Sequence, residues 1–122
     1  FGAYDAACFG FRNPHIVDRI IGMSGMYDIR DMTGGFSDET VYQVNPFEFM
    51  PNEHDPARLE AFRRQDIIFA TGETDYYVDK NRAFSAMLWQ KGIGNALRIW
   101  NGFAHDWPEW ERMIRLYVRG HD

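Results

Sequence analysis

Three short runs rich in apolar and β-branched residues punctuate this chain, at about Arg19 to Met23, Asp66 to Thr71 and Ala96 to Trp100. Each runs out into a loop containing glycine: Ser24-Gly25, Gly72-Glu73 and Asn101-Gly102. Short apolar runs without polar alternation suit strands buried on both faces. Between them lie segments with helical spacing. Ala57 to Arg64 is entered through Asp55-Pro56, with proline near the first helical position. Tyr77 to Lys91 places Ala83, Met87, Leu88 and Lys91 on adjoining turns and stops at Gly92. Strand and helix in alternation restrict the architecture to parallel strands joined by crossover helices, an α/β fold.

The remaining segments extend this pattern. Phe1 to Arg12 carries Tyr4, Ala7, Cys8 and Phe11 on one helical face and ends at Asn13-Pro14. Trp107 to Arg119 spaces Trp107, Trp110, Met113, Ile114 and Tyr117 as a helix. Asp106 is placed to cap it, and Glu109 three residues on completes a capping-box pattern. From Ser24 to Glu53 the pattern is irregular, with Gly34-Gly35, Pro46, Pro51 and many aromatics. Short helices are predicted near Ser37 to Val44 and Pro46 to Met50. The segment reads equally as a lid or pocket wall and as a surface excursion held down by its aromatics.

Composition narrows the function classes. The chain has 122 residues, 45% hydrophobic and 25% charged, which is the balance of one globular domain. A net charge of −5 argues against a broad nucleic-acid surface. No run of about 18 apolar residues offers a membrane span. Cys8 is the sole cysteine and has no internal disulfide partner. It fits a reducing compartment, so a cytoplasmic location is the expectation.

In open α/β sheets the reactive groups sit on loops beyond the carboxyl ends of the strands. Here those loops are Ser24 to Asp28, Gly72 to Asp75 and Asn101 to Asp106. The second carries carboxylates and the third carries His105. Carboxylate followed by histidine on successive strand ends is the order of the last two members of an α/β-hydrolase triad. A buried carboxylate would hold the imidazole in one tautomer and stabilise the imidazolium. The N-terminus of the helix after His105 opposes that positive charge, which gives a carboxylate partner a physical reason to be there.

These residues resemble the esterase branch of the α/β hydrolases that includes esterase D and feruloyl-esterase-like proteins. Four stretches carry the resemblance: Phe1-Gly2-Ala3-Tyr4 with the helix ending Phe11-Arg12-Asn13-Pro14; Ile21-Gly22-Met23-Ser24-Gly25-Met26-Tyr27-Asp28; Thr71-Gly72-Glu73-Thr74-Asp75; and Gly102-Phe103-Ala104-His105-Asp106-Trp107-Pro108-Glu109-Trp110. The histidine stretch is the most specific. The resemblance implies that residues 1–122 are the C-terminal half of one hydrolase domain with a three-layer sheet. The family's elbow reads G-x-S-x-G. If Gly2 is its last glycine, the nucleophilic serine is the residue before Phe1 and the Phe1 amide helps form the oxyanion hole. Phe1 in place of an initiator Met also reads as a start inside a larger gene product.

The implied function is hydrolysis of carboxylic esters through a serine acyl-enzyme, with His105 as general base and then general acid, and Asp75 orienting it. No cofactor or metal is required. The implied partners are a small-molecule ester and the missing N-terminal half of the domain, whose absence leaves an apolar sheet edge open. A homo-oligomer is compatible with this reading; a nucleic acid or a membrane is not expected.

Each residue also has a blander reading. Asp75 suits the cap of the next helix, and Glu73 is the rival acid. Ser24 is set aside as a nucleophile, because Gly22-Met23-Ser24-Gly25-Met26 lacks the final elbow glycine and no helix clearly follows. Cys8 is expected to be a packed core thiol. Trp89, Trp100, Trp107 and Trp110 read as packing residues, with Trp107 bordering the substrate site beside His105. His105-Asp106 and His121-Asp122 repeat the His-Asp pair of metal-dependent phosphohydrolases. His15 and His54 offer no i, i+4 partner, so metal chemistry ranks below ester hydrolysis. A catalytically inactive binding or interaction module on the same fold is the alternative function.

Overall fold

The computed structural model describes residues 2–120. The chain runs α1 (Gly2–Arg12), β1 (Arg19–Met23), a 3₁₀ turn (Ile29–Asp31), α2 (Glu39–Gln43), α3 (Pro46–Phe49), α4 (Pro56–Arg64), β2 (Asp66–Gly72), α5 (Val78–Gln90), β3 (Ala96–Trp100) and α6 (Trp107–Tyr117). The strands form one parallel sheet in the order β1-β2-β3. Ile20 lies beside Ile67, and Phe69 beside Leu97.

The period of two along the strands divides the interior into two layers. Ile20, Ile67 and Phe69 face one way, into a cluster with Ala7 and Phe11 of α1, Phe62 of α4, and Phe84 and Leu88 of α5. Ile68 and Ala70 face the other way, onto Met113 and Tyr117 of α6, with Ile21 and Met23 packed alongside. The result is an α/β fold with helices on both faces. β2, flanked by strands on both edges, is buried along nearly its whole length. β3 is only half-covered, and Ile99 stays exposed.

Phe84 is the hub of the larger layer. Its ring stacks on Tyr27 at 4.7 Å and meets Phe69, Phe47 and Phe11 at 5.5–6.1 Å. It thereby joins α1, β2, α5 and the irregular segment. The buried face of α5 is Asn81, Phe84, Ser85 and Leu88. Ala83 of the predicted face is exposed and Met87 only partly buried, because the helix is rotated to point Phe84 at the sheet. Gly92 ends α5 at φ 74°, and the Ile93 amide returns to the Leu88 carbonyl, as a left-handed C-terminal stop requires.

The irregular stretch is organised by one buried amide. The Asn45 Oδ1 accepts the Ile29 N–H, while its Nδ2 donates to Asp28 Oδ1 and Glu48 Oε1. Asp28 also caps the 3₁₀ turn and takes two hydrogen bonds from the Arg30 guanidinium. The Arg30 hydrogen bonds hold the Asp28 carboxyl below the usual carboxylate range, at about 2 against 3.8. The segment combines both expected roles. Tyr27 is buried in the core, Met26 and Met32 reach the cavity described below, and Phe36 is exposed.

A further packing expectation is corrected. Cys8 is not a core thiol; it is half-buried and its S–H donates to the Val44 carbonyl at 3.2 Å, because that side of α1 faces the residue after α2 rather than the sheet. Burial and the neighbouring Asp5 raise its pKa. At α6, Asp106 accepts the Trp107 N–H, while the Glu109 carboxylate lies 3.6 Å from Arg112 on the next turn.

Candidate active site

The loops after β2 and β3 are laced together. The Glu73 amide donates to the Trp100 carbonyl at 2.8 Å, and the Thr74 amide to the Gly102 carbonyl at 3.1 Å. Gly72 permits this approach: a Cβ there would stand 2.0 Å from the Phe103 carbonyl oxygen. The two candidate acids are thereby separated. Glu73 turns its carboxylate to the Gly102 amide, 3.1 Å away. Asp75 turns the other way, and its Oδ2 lies 2.8 Å from His105 Nδ1.

The Asp75 carboxylate is fully buried, whereas the imidazole is about a quarter exposed. The second oxygen, Oδ1, accepts the Tyr77 N–H at 3.0 Å, just ahead of α5. Asp75 is thus not the cap of α5, a position that falls to Tyr77; it accepts the Tyr77 amide with one oxygen and meets the histidine with the other. With Asp75 accepting at Nδ1, the tautomer that satisfies the carboxylate carries its proton on Nδ1 and leaves Nε2 as a free acceptor.

His105 sits among aromatic rings. Its centroid is 5.2 Å from Trp110, 5.4 Å from Phe103, 6.2 Å from Tyr76 and 6.4 Å from Tyr77. It opens on a cavity of about 690 Å³. The N-terminus of α1 (Gly2, Ala3, Tyr4), the end of β1 (Met23, Ser24), Met26, Met32, Tyr77, Trp107 and Trp110 line that cavity. Among the described lining residues none is Lys, Arg, Asp or Glu. The structure thus brings His105, Asp75 and Trp107 to one place, with the first turn of α1 as the facing wall. Phe1 lies outside the described residues, as does His121-Asp122.

Sequence reasoning passed over Tyr76 and Phe103 and treated Trp110 as packing alone. The crowding of aromatics around Asp75 and His105 in the sequence was the available signal. Ser24 lacks the elbow motif of a nucleophile, and no helix starts behind it: the next element is the 3₁₀ turn at Ile29. Yet it lines the same cavity, with a left-handed backbone. Among the described residues no three His, Cys, Asp or Glu side chains converge as a metal site, and no helix is long and apolar enough to cross a membrane.

The fold recurs in solved hydrolases. A ferulic acid esterase superposes over 96% of this chain with a TM-score of 0.74 at 23% identity. An S-formylglutathione hydrolase (FrmB) from Staphylococcus aureus superposes over 97% with a TM-score of 0.73 at 12% identity. FphF, a fluorophosphonate-binding serine hydrolase of Staphylococcus aureus, superposes over 97% with a TM-score of 0.77 at 14% identity. The chain covers 45%, 46% and 49% of those proteins respectively, so it spans about half their length. No protein-family model matches the sequence, and no curated protein matches it. The three-stranded parallel sheet with its helices is therefore part of an α/β-hydrolase fold.

Proposed function

We propose that this chain supplies the acid and the base of a serine esterase, within a longer α/β-hydrolase domain. The observation that carries the reading is the 2.8 Å contact between a fully buried Asp75 carboxylate and His105, whose ring opens on an apolar cavity. A carboxylate held out of water costs several kcal/mol unless it is paired. Among the described residues its hydrogen-bond partners are one imidazole and one backbone amide. Positioning an imidazole is the chemistry such an arrangement performs best.

In this reading the serine stands immediately before Phe1, within hydrogen-bonding reach of His105 Nε2. His105 Nε2 takes the hydroxyl proton as the serine oxygen bonds to the ester carbonyl carbon. The reading gives the Phe1 amide the role of donor to the developing oxyanion. The imidazolium returns its proton to the alcohol as the ester C–O bond breaks. Water deacylates the serine by the same steps in reverse. Asp75 stabilises the imidazolium throughout without itself taking the proton. A cavity lined by methionine and aromatic side chains favours an uncharged ester with an apolar or aromatic portion; the name of the ferulic acid esterase neighbour agrees with that choice. The rest of the domain completes the sheet along the open edge of β1, which is the outer strand on that side.

The test is the intact mass of the full-length protein before and after a fluorophosphonate, the probe class named for one structural neighbour. One adduct, on the residue before Phe1, is expected. Asp75→Asn slows labelling by on the order of 10⁴, because the amide favours the wrong tautomer. Glu73→Gln still accepts the Gly102 amide and labels at nearly the wild-type rate. An unmodified mass overturns the esterase reading and leaves a binding module; equal loss in both variants overturns the assignment of the acid.

A further inference from the structure

We infer that Ser24 and Trp110 are a positioning pair that sets the plane of the His105 imidazole. The inference rests on the triad reading above and deepens it.

Asp75 grips the imidazole at one nitrogen only. A single hydrogen bond at Nδ1 does not lock the two side-chain torsions by which the ring tilts. Nε2, the atom that must meet the serine proton, would then sweep an arc. Misplacement by about 1 Å at a reacting atom is enough to cost about 10²-fold in rate. Something must stop that rotation, and the Trp110 ring stands 5.2 Å from the imidazole with the planes 62° apart.

Trp110 is itself held from two sides. Its body packs on the smaller core layer of Ile68, Ala70, Ala104, Met113 and Tyr117. Its indole N–H points to Ser24 Oγ, at the long distance of 3.4 Å, across 86 residues of chain. That bond joins the end of β1 to the first turns of α6, and both residues line the cavity.

The backbone gives the second, independent observation. Among the described residues only Ser24, at φ 54°, and Ala104, at φ 49°, are non-glycine residues in the left-handed region. Such a conformation is strained for a residue with a Cβ and persists where the surroundings over-determine it. Both residues are at the site: Ala104 immediately precedes His105, and Ser24 lines the cavity while its amide continues the β1–β2 ladder to the Ala70 carbonyl at 2.7 Å. Glycine would fit φ 54° at lower cost, so a serine there points to a use for its hydroxyl. That use is to accept the Trp110 indole N–H.

The experiment is a double-mutant cycle in the full-length protein. Ser24→Gly removes the hydroxyl and suits the left-handed backbone, so its melting temperature does not fall. Trp110→Phe keeps a ring and deletes the N–H. Each slows fluorophosphonate labelling by about 2–10-fold, the worth of one neutral hydrogen bond. The double variant is no slower than the slower single, because the two changes remove one interaction. Multiplying effects, or a wild-type rate in both singles, overturn the pair. The His105 Nδ1–H proton resonance provides a readout that does not need activity. It broadens or shifts in both singles and no further in the double if the pair positions the ring; an unchanged signal in both overturns the inference. If the wild type takes no probe, the triad reading is what has failed, and the imidazole resonance alone decides the pair.

Discussion

Replacing Gly72 by alanine adds one carbon at the most crowded point between the two site loops. That Cβ would meet the Phe103 carbonyl oxygen at 2.0 Å, the Phe103 carbonyl carbon at 2.3 Å and the Gly102 oxygen at 2.5 Å. All three are backbone atoms, so no rotamer change relieves the overlap. A tolerable carbon-to-oxygen contact is about 3.3 Å, so the loops must part by at least about 1.3 Å. The parting opens the lacing bonds from Glu73 and Thr74 and stretches the 2.8 Å contact between Asp75 and His105 beyond hydrogen-bonding range. Overpacking of this kind costs about 1–3 kcal/mol in stability. The loss of alignment costs on the order of 10² or more in labelling rate. Urea denaturation measures the first, and fluorophosphonate labelling with the His105 Nδ1–H resonance measures the second. A Gly72→Ala protein with wild-type stability and an unshifted imidazole signal would refute the claim that the close approach at residue 72 sets the geometry of the site.

Phe84→Ala deletes the ring on which four other aromatic rings converge, from a side chain with no exposure. The expected loss is about 3–5 kcal/mol by urea denaturation, and a loss below about 1 kcal/mol would show that the aromatic hub does not carry the larger layer. Asp28 predicts an acid limb. Its folded pKa of about 2 lies below the ordinary 3.8, chiefly through the Arg30 hydrogen bonds, opposed by burial and aided by Asn45. The group therefore contributes stability that is fully present above about pH 4 and is lost as pH falls through about 2. Stability of the wild type should fall more steeply than that of Asp28→Asn between those values, and parallel curves would contradict the role given to this carboxylate.

The strands were legible in the sequence to the residue for β1 and β3, because a short apolar run between glycine loops has few other uses in an alternating chain. The helix after Asp106 was equally plain, since an Asp cap and a 3.6-residue apolar stripe are both local signals. Local signals failed where partners were distant. The α5 stripe was read through Ala83, whereas the buried face turns on Phe84, whose neighbours come from four separate segments. Cys8 looked like core from its helix alone and lies instead against Val44.

The site divides along the same line. His105 and the pair of acids Glu73 and Asp75 follow from sequence order, because carboxyl ends of parallel strands collect their loops on one side of the sheet. Which acid faces the imidazole does not follow: two carboxylates two residues apart differ only in direction, and direction is set by the Gly102 amide, the Tyr77 amide and the absence of a side chain at Gly72. The Ser24–Trp110 contact is invisible in one dimension for the same reason, since it joins residues 86 apart through a left-handed turn. Periodicity and turn chemistry act over a few residues, so the sequence by itself determined the elements, their alternation and the loops that bear the reactive groups. Steric fit and hydrogen-bond direction act between segments remote in the chain, so only the tertiary structure decided which side chains meet.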